Sequence, residues 1–155
     1  MNGMKFEEML APDLKSLQHC AESLVASLRG GEIIGLVGEL GAGKTTFVQY
    51  MAKAMGIKKP VRSPTFILMQ CFPSGHSFRK KTGIVEMCHI DAYRLKGEDE
   101  LFAIGFGDYA EREDCVTVIE WADRIESVSW LEDYREIRFT VDENQKRHLE
   151  CYFRK

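Results

Sequence analysis

Residues 38–45 read GELGAGKT and satisfy the pattern G-x-x-x-x-G-K-[ST] at every fixed position. The apolar run EIIGLVG leads into this segment, and a stretch with the apolar spacing of a helix, residues 44–54, follows it. A glycine-rich turn between a buried strand and a helix is the context in which this pattern holds phosphates. The turn therefore predicts an α/β domain of the P-loop type.

Each residue type in this turn has a physical reason. Glycines let the backbone curl so that successive N–H groups point inward, and the helix N-terminus adds partial positive charge. Lys44 is expected to neutralise the β- and γ-phosphates of a nucleotide, and the hydroxyl of Thr45 to ligate Mg²⁺. The alternative is an ordinary glycine-rich turn in which the lysine occurs by chance and binds no phosphate. The turn thus predicts a bound nucleoside triphosphate with magnesium.

The hydrophobic pattern predicts the remaining elements. Helices are expected over 14–28 and 98–104, and strands over 66–71, 84–91 and 115–120. Residues 73–83, PSGHSFRKKTG, are interpreted as a polar loop. Two alternating runs, 136–142 and 147–153, predict an antiparallel hairpin at the sheet edge. We expect one P-loop ATPase domain over residues 1–155, a three-layer α/β fold whose mixed sheet has a parallel core and an antiparallel C-terminal hairpin.

Composition excludes several classes of protein. The 155 residues are 45% hydrophobic, which is enough for one core, and the net charge of −3 provides no global basic field for nucleic acid. The five cysteines form no CxxC pair, so reduced thiols are expected, and Cys71, His76, Cys88 and His89 match no zinc-ligand spacing. Because no signal peptide or apolar stretch of about 18 residues is found, we expect a soluble, cytoplasmic protein without membrane association.

Two acids end apolar strands, Asp91 after IVEMCHI and Glu120 after CVTVI. The carboxyl ends of strands form the edge where ligands bind in open α/β sheets. One acid could hold Mg²⁺, directly or through water, and the other could orient the attacking water. The pattern leaves open which acid does which. His89 is expected on the same face as Asp91, more as a packing or hydrogen-bonding group than as a catalyst.

Further patterns narrow the nucleotide and the reaction. No [NT]KxD motif for guanine is found, which favours ATP over GTP. Small-molecule kinases usually carry several arginines in a mobile lid, whereas Arg94, Arg112 and Arg124 are dispersed here. A small-molecule kinase is therefore the second hypothesis. A non-catalytic module, in which ATP only sets the conformation that binds a partner, is the third.

Four segments together, GELGAGKTTF, VRSPTF, HIDAYRL and IEWADRI, resemble the bacterial TsaE (YjeE) ATPases over residues 14–125. The resemblance implies an ATPase that serves the formation of N6-threonylcarbamoyladenosine at position 37 of tRNAs reading ANN codons. It implies ATP and Mg²⁺ as cofactors, and the TsaB and TsaD proteins as partners in a TsaB–TsaD–TsaE complex. The TsaB–TsaD pair transfers the threonylcarbamoyl group, and ATP hydrolysis is thought to reset the pair. Contact with tRNA is expected only indirectly or through the complex.

The resemblance also implies site residues. The nucleotide would be bound by Gly38, Glu39, Leu40, Gly41, Ala42, Gly43, Lys44, Thr45 and Thr46, together with Trp121 and Arg147. Thr45 and Glu120 would hold the metal, and Asp91, Lys44 and Glu120 would serve catalysis. Ser63, Pro64 and Thr65 would form a switch-like segment, and Arg147 would lie near the adenine. Slow basal hydrolysis, stimulated by partners, is expected because nothing obvious supplies an arginine finger.

Two features depart from the family, and the first, Ala92 where a larger apolar residue is common, is expected to have no functional effect. The link between the SPTF segment and the aspartate strand is longer than usual and carries the basic cluster Arg79, Lys80 and Lys81. A solvated hairpin tip is one interpretation of this cluster. A contact with tRNA or with an acidic partner surface is the other.

Overall fold

The computed structural model of the protein describes residues 4–11, 13–64 and 66–154, with the backbone alone for residues 4–10, Trp130 and Arg154. The strands are β1 (Met4–Leu10), β2 (Ile33–Gly38), β3 (Met69–Pro73), β4 (Glu86–Asp91), β5 (Cys115–Glu120), β6 (Tyr134–Val141) and β7 (Arg147–Arg154). The α-helices are α1 (Leu14–Ser27), α2 (Lys44–Ala54), α3 (His76–Thr82), α4 (Glu98–Ala103) and α5 (Gly107–Ala110). Two 3-10 helices, Ala122–Arg124 and Glu126–Trp130, follow β5.

The seven strands form one sheet in the order β1-β7-β6-β2-β5-β4-β3. Its centre is parallel, since β2 pairs in parallel with both β5 and β6, and β5 pairs in parallel with β4. Strands β7, β1 and β3 are added antiparallel to their neighbours. The carboxyl ends of β2, β4 and β5 therefore meet at one edge, as the predicted parallel core requires.

Apolar side chains cover both faces of the sheet, which explains why every residue of β5 is buried. One cluster joins α1 and α2 to the sheet and includes Phe47, Val116 and Val118. The second lies under α4 and the 3-10 helices and includes Leu101 and Ile119. The alternation of neighbouring β5 residues between these clusters gives the expected three layers.

The first helix shows how local sequence sets an element boundary. Asp13 accepts a hydrogen bond from the backbone N–H of Ser16 at 2.8 Å, and this cap begins α1 one residue later. The pKa of Asp13 is lowered, chiefly by that hydrogen bond. Leu17, Ala21 and Leu24 recur on the buried face at the spacing of a helix. The predicted helix over 14–28 is confirmed and ends one residue earlier.

Two expectations about the periphery of the sheet are wrong. The hairpin β6–β7 does not lie at the edge, because β1 pairs with β7 along its whole length. The strand expected over 66–71 begins at Met69 and runs to Pro73, since Leu68 has left-handed backbone (φ 69) and interrupts the extended chain. A proline is tolerated in β3 because it is an edge strand.

The segment 73–83 is not a loop throughout. It contains α3, which begins after Gly75 and ends at Gly83 in a left-handed conformation. Phe78 packs from this helix against the core on the α1 and α2 side of the sheet. Partial burial of that one aromatic ring anchors an otherwise polar helix, and a hydrophobic pattern with a single apolar member was too weak to predict it.

The cysteines also differ from expectation. Cys71 and Cys88 lie directly opposite each other on the antiparallel strands β3 and β4, with Cα atoms 4.1 Å apart, and form a disulfide. Reduced thiols were expected, and this pair contradicts that expectation because strand pairing brings together residues separated by 17 positions. Cys20, Cys115 and Cys151 are buried and take no part in this disulfide. Within the described ranges, no helix has the length and apolar content needed to span a membrane.

Thiol counting tests this arrangement. Unfolded but unreduced protein should show three reactive thiols with Ellman's reagent, and reduced protein should show five. In the folded protein the three thiols outside the disulfide should react slowly because they are buried, and burial also raises the pKa of Cys115 to about 11. Five thiols in unfolded protein without a reductant would contradict the disulfide.

Candidate phosphate and metal site

The glycine turn lies between β2 and α2, as its sequence predicts. Gly43 precedes the helix with φ 107, a conformation that favours glycine, and an added Cβ there would lie 3.0 Å from Nε of Arg147. Arg147 reaches the turn from β7 and donates a hydrogen bond from Nε to the carbonyl of Ala42 at 2.6 Å. The turn is therefore closed from the side of the hairpin by an arginine. A larger residue at Gly43 would displace that arginine.

Lys44 is the cation of the site and is only 5% exposed. Its Nζ donates to the carbonyls of Gly38 at 2.6 Å and Glu39 at 2.8 Å, and it lies 4.0 Å from the ring centroid of Trp121. Burial lowers the pKa of Lys44, and nearby carboxylates, first among them Glu120, oppose that shift. The ammonium group is thus held against its own loop and under an indole ring, next to the acids of the site.

A chain of hydrogen bonds joins α2, β5 and β4. Thr45 Oγ1 donates to Oε1 of Glu120 at 2.7 Å, and Nε2 of His89 lies 2.6 Å from the other carboxylate oxygen. Glu120 is 3% exposed and His89 is fully buried. Because an ionised carboxylate only accepts, the imidazole Nε2 carries the hydrogen in this contact. Among the described residues, Nδ1 of His89 has no hydrogen-bond partner.

Asp91 is held separately although it lies beside Glu120 in the register of the sheet. Its Oδ2 accepts a hydrogen bond from Ser63 Oγ at 2.8 Å, and its Oδ1 accepts one from the backbone N–H of Tyr93 at 3.0 Å. Asp91 is 5% exposed. The two acids therefore have different partners, since one faces the threonine of α2 and the other faces the segment that precedes β3.

Left-handed backbone occurs beside both acids. Trp121, directly after Glu120, has φ 59, and Leu68, whose carbonyl accepts from the backbone N–H of Asp91, has φ 69. Such conformations of non-glycine residues cost of order 1 kcal/mol or more and concentrate at functional sites. The Trp121 ring also lies 5.0 Å from the ring of Tyr93. Trp121, one of the two constrained residues, thus forms an aromatic pair with Tyr93 in the site.

These groups surround one cavity of about 500 Å³. The cavity is lined by Leu40, Gly41, Gly43, Lys44, Thr45, Thr46, Ser63, Asp91, Tyr93, Glu120, Trp121 and Arg147. Gly38, Glu39 and Ala42 were also predicted to contact the nucleotide, but they shape the turn without lining the cavity. Leu40 lines it with a side chain that is 87% exposed.

The comparisons with known proteins agree on one family. A family model described as "Threonylcarbamoyl adenosine biosynthesis protein TsaE" matches residues 11–149. The chain belongs to the TsaE family. The tRNA threonylcarbamoyladenosine biosynthesis protein TsaE of Aquifex aeolicus (strain VF5) is 36% identical over 120 residues, which cover 76% of this chain and 78% of that protein. The protein of the same name from Bacillus subtilis (strain 168) is 31% identical over 156 residues, covering 94% and 90%.

A solved structure supports the fold of this TsaE-family chain. The crystal structure of Bacillus subtilis YdiB superposes with a TM-score of 0.77 at 20% sequence identity, covering 100% of this chain and 90% of that one. The P-loop fold with a parallel core and an antiparallel C-terminal hairpin is therefore confirmed. Membership in a family named for tRNA threonylcarbamoyladenosine biosynthesis is likewise established.

Sequence reasoning missed or misjudged parts of this TsaE-family site. Tyr93 was absent from the predicted site, although its spacing of two from Asp91 was a usable signal. His89 is a hydrogen-bonding group, as expected, and its partner proves to be Glu120. Two of the four residues that were compared with zinc-ligand spacings, Cys71 and Cys88, are joined in the disulfide. Of the switch-like segment, Ser63 contacts Asp91, whereas Thr65 lies outside the described residues.

Removal of His89 tests the hydrogen-bond chain. His89→Ala leaves a buried carboxylate without its partner, so we expect the free energy of unfolding to fall by about 3–5 kcal/mol. His19→Ala, which removes an exposed histidine of α1, is the matched control and should change stability by less than about 0.5 kcal/mol. Urea denaturation measures both variants. Equal losses in the two variants would show that Glu120 does not depend on His89.

Proposed function

We propose that this TsaE-family protein is a Mg²⁺-dependent ATP hydrolase that acts in the threonylcarbamoyladenosine modification of tRNA. The observation that carries the proposal is the hydrogen bond of 2.7 Å between Thr45 and Glu120, placed beside the buried Lys44. It joins the helix that follows the glycine turn to the acid that ends a central strand. That pairing is what a P-loop site needs to hold a metal next to phosphates.

The residues of the turn fit a polyphosphate. Backbone N–H groups at the start of α2 and the ammonium group of Lys44 supply positive charge on one side of the cavity. Gly41 has open space where a side chain would project, because nothing lies within 4 Å of an added Cβ. The cavity volume of about 500 Å³ is within the range of roughly 300–1,000 Å³ usual for ligand sites. Lys44, Thr45 and Thr46 would contact the phosphates.

The oxygen donors fit magnesium. Mg²⁺ prefers hydroxyl, carboxylate and water oxygens, and it usually keeps several waters beside one or two protein ligands. Thr45 and Glu120 would hold the ion, and His89 would keep the carboxylate oriented through its other oxygen. Bound Mg·ATP supplies the scissile phosphoanhydride and the charge that stabilises the leaving group. The chain's own residues would bind and orient the nucleotide and exclude water from it.

Asp91 is the group proposed to orient the attacking water. It is buried at the same sheet edge as Glu120, and its carboxylate accepts hydrogen bonds from Ser63 and from the backbone N–H of Tyr93. Its contact with Ser63 ties it to the segment before β3, which gives that segment a means to sense the state of the site. Among the described residues, Arg147 is the one arginine that lines the cavity, and its Nε is occupied by the Ala42 carbonyl. Slow basal hydrolysis is consistent with that arrangement.

The biological context of the proposal comes from the family. The curated relatives are named for tRNA threonylcarbamoyladenosine biosynthesis. Their names give the pathway but do not say which proteins act with them. We propose the TsaB–TsaD pair as the assembly on which the ATP cycle acts, in the cytoplasm. A partner that completes the site with a cation would raise hydrolysis above the slow basal rate.

Tryptophan fluorescence tests nucleotide binding directly. Trp121 lies against Lys44 and lines the cavity, so Mg·ATP should change the intrinsic emission of the protein. The change should persist in Trp130→Phe and vanish in Trp121→Phe, since the chain contains two tryptophans. Titration of emission against Mg·ATP checks this. A signal that survives in Trp121→Phe would place the nucleotide elsewhere.

ATP turnover tests the reaction. Lys44→Ala should abolish measurable hydrolysis, and Asp91→Asn should slow it by about 10²-fold or more while ATP binding persists. Purified TsaB and TsaD should raise the wild-type rate. Lys15→Ala, which changes an exposed lysine of α1, is the control and should hydrolyse ATP at the wild-type rate.

The same assay separates the competing hypotheses. A phosphorylated small molecule formed in step with ATP loss would indicate a kinase. Full tRNA modification by Asp91→Asn without hydrolysis would indicate a module in which ATP binding alone controls the partner.

A further inference from the structure

Positive charge is segregated in this acidic chain. Residues 40–85 contain eight lysines and arginines and no aspartate or glutamate, whereas the remaining 109 residues carry 13 basic residues and all 24 acids. Apart from Lys44, none of the basic residues of this stretch lines the phosphate cavity. A net charge of −3 thus conceals one strongly basic segment.

The fold concentrates this segment at one corner. The backbone N–H of Gly75 donates to the carbonyl of Met55 at 2.9 Å, and a Cβ on Gly75 would lie 2.7 Å from the carbonyl oxygen of Gly56. The start of α3 therefore packs directly on the end of α2. Ile57 and Phe78, which follow these glycines in the chain, pack on the same hydrophobic cluster. Two basic stretches, separated by twenty residues, become neighbours.

The cations of this corner are exposed. We define the basic corner as Lys53, Lys58, Lys59, Lys80 and Lys81, all of which are exposed. None of them belongs to an ion pair or a side-chain hydrogen bond found among the described residues. Arg79 differs, because its guanidinium donates to the carbonyls of Ser74 and Val85 at 3.3 Å and fixes α3. No comparable side-chain hydrogen bond of the five lysines is found among the described residues.

We propose that the basic corner binds the phosphate backbone of RNA. Flexible lysines without carboxylate partners suit a regularly spaced polyanion that is contacted without regard to base sequence. The acidic remainder of the surface repels RNA and so restricts where it can bind. The choice of tRNA as the RNA rests on the proposed function, since the charge pattern alone specifies phosphate and not its sequence.

A covalent path connects the corner to the proposed catalytic acid. The chain runs from Lys58 and Lys59 past Val61, whose carbonyl accepts a hydrogen bond from Gln49 of α2 at 2.9 Å. It then reaches Ser63, which donates to Asp91. RNA held at the corner would thus contact the same short segment that contacts the site. This surface is distinct from the cavity, and none of its lysines lines it.

Charge reversal tests the surface. The probe is an unmodified, fluorescently labelled tRNA transcript, followed by fluorescence anisotropy at several salt concentrations. The test variants are Lys58→Glu/Lys59→Glu and Lys80→Glu/Lys81→Glu. The matched control is Lys15→Glu/Lys146→Glu, which reverses two exposed lysines outside the acid-free segment and changes net charge equally. Thermal melting and basal ATP turnover of each variant report folding and the integrity of the cavity.

Each corner variant should bind tRNA about tenfold or more weakly at low salt, and the slope of log affinity against log salt should fall by about two. The control should retain most of the affinity, and all variants should keep basal ATP turnover. Equal weakening in corner and control variants would overturn the proposal in favour of net charge alone. Tight, corner-dependent binding of poly-glutamate in place of tRNA would overturn it in favour of an acidic protein partner.

The result separates this inference from the proposed function. Wild-type protein that hydrolyses ATP but shows no salt-dependent tRNA binding would refute the basic corner alone. Salt-dependent tRNA binding without any ATP hydrolysis would refute the proposed hydrolase and leave the corner standing.

Discussion

The site depends on one shared carboxylate. Glu120 is buried at the end of a central strand, and its two oxygens are held by Thr45 of the phosphate turn and by His89 of the neighbouring strand. A buried charge is tolerated only when hydrogen bonds replace the water it has lost. The parallel register that sets Asp91 opposite Glu120 also sets His89 two residues back on the same face. The order of strands is thus what allows one acid to connect the turn to the interior.

The glycine turn holds its own lysine by hydrogen bonds. The Lys44 ammonium group donates to two carbonyls of its own loop and lies under Trp121, while Arg147 caps the loop from the opposite side. Hydrogen bonds to a charged donor are worth roughly 1.5–3 kcal/mol each, so this arrangement is a substantial competitor for the lysine. A polyphosphate of the kind proposed would have to bind Lys44 more strongly than these two carbonyls do. The left-handed backbone of Trp121, directly above the lysine, is a costly conformation that the surrounding contacts must hold in place.

The sequence was informative where a residue pattern has one physical solution. A glycine turn before a lysine and a threonine requires a strand before it and a helix after it, and α2 spans the predicted residues. Where a residue pattern fits several structures, the prediction from sequence failed. Two adjacent glutamates interrupt the alternation in β1, and α3 has Phe78 as its one core contact. The Cys71–Cys88 pair and the contact of His89 with Glu120 depend on which strands become neighbours, and no local pattern contains that information.

The charge at the end of α2 can be weighed against the needs of the helix itself. A helix C-terminus carries about half a negative charge, and Lys53 in the last turn of α2 is well placed to offset it. One lysine suffices for that purpose, and Lys80 and Lys81 have the same role available in the last turn of α3, whereas Lys58 and Lys59 lie outside both helices and have no carboxylate partner among the described residues. Mutual repulsion of these groups makes the corner costly to assemble unless an anion arrives from outside. The surplus of positive charge is therefore better explained by a ligand than by the fold.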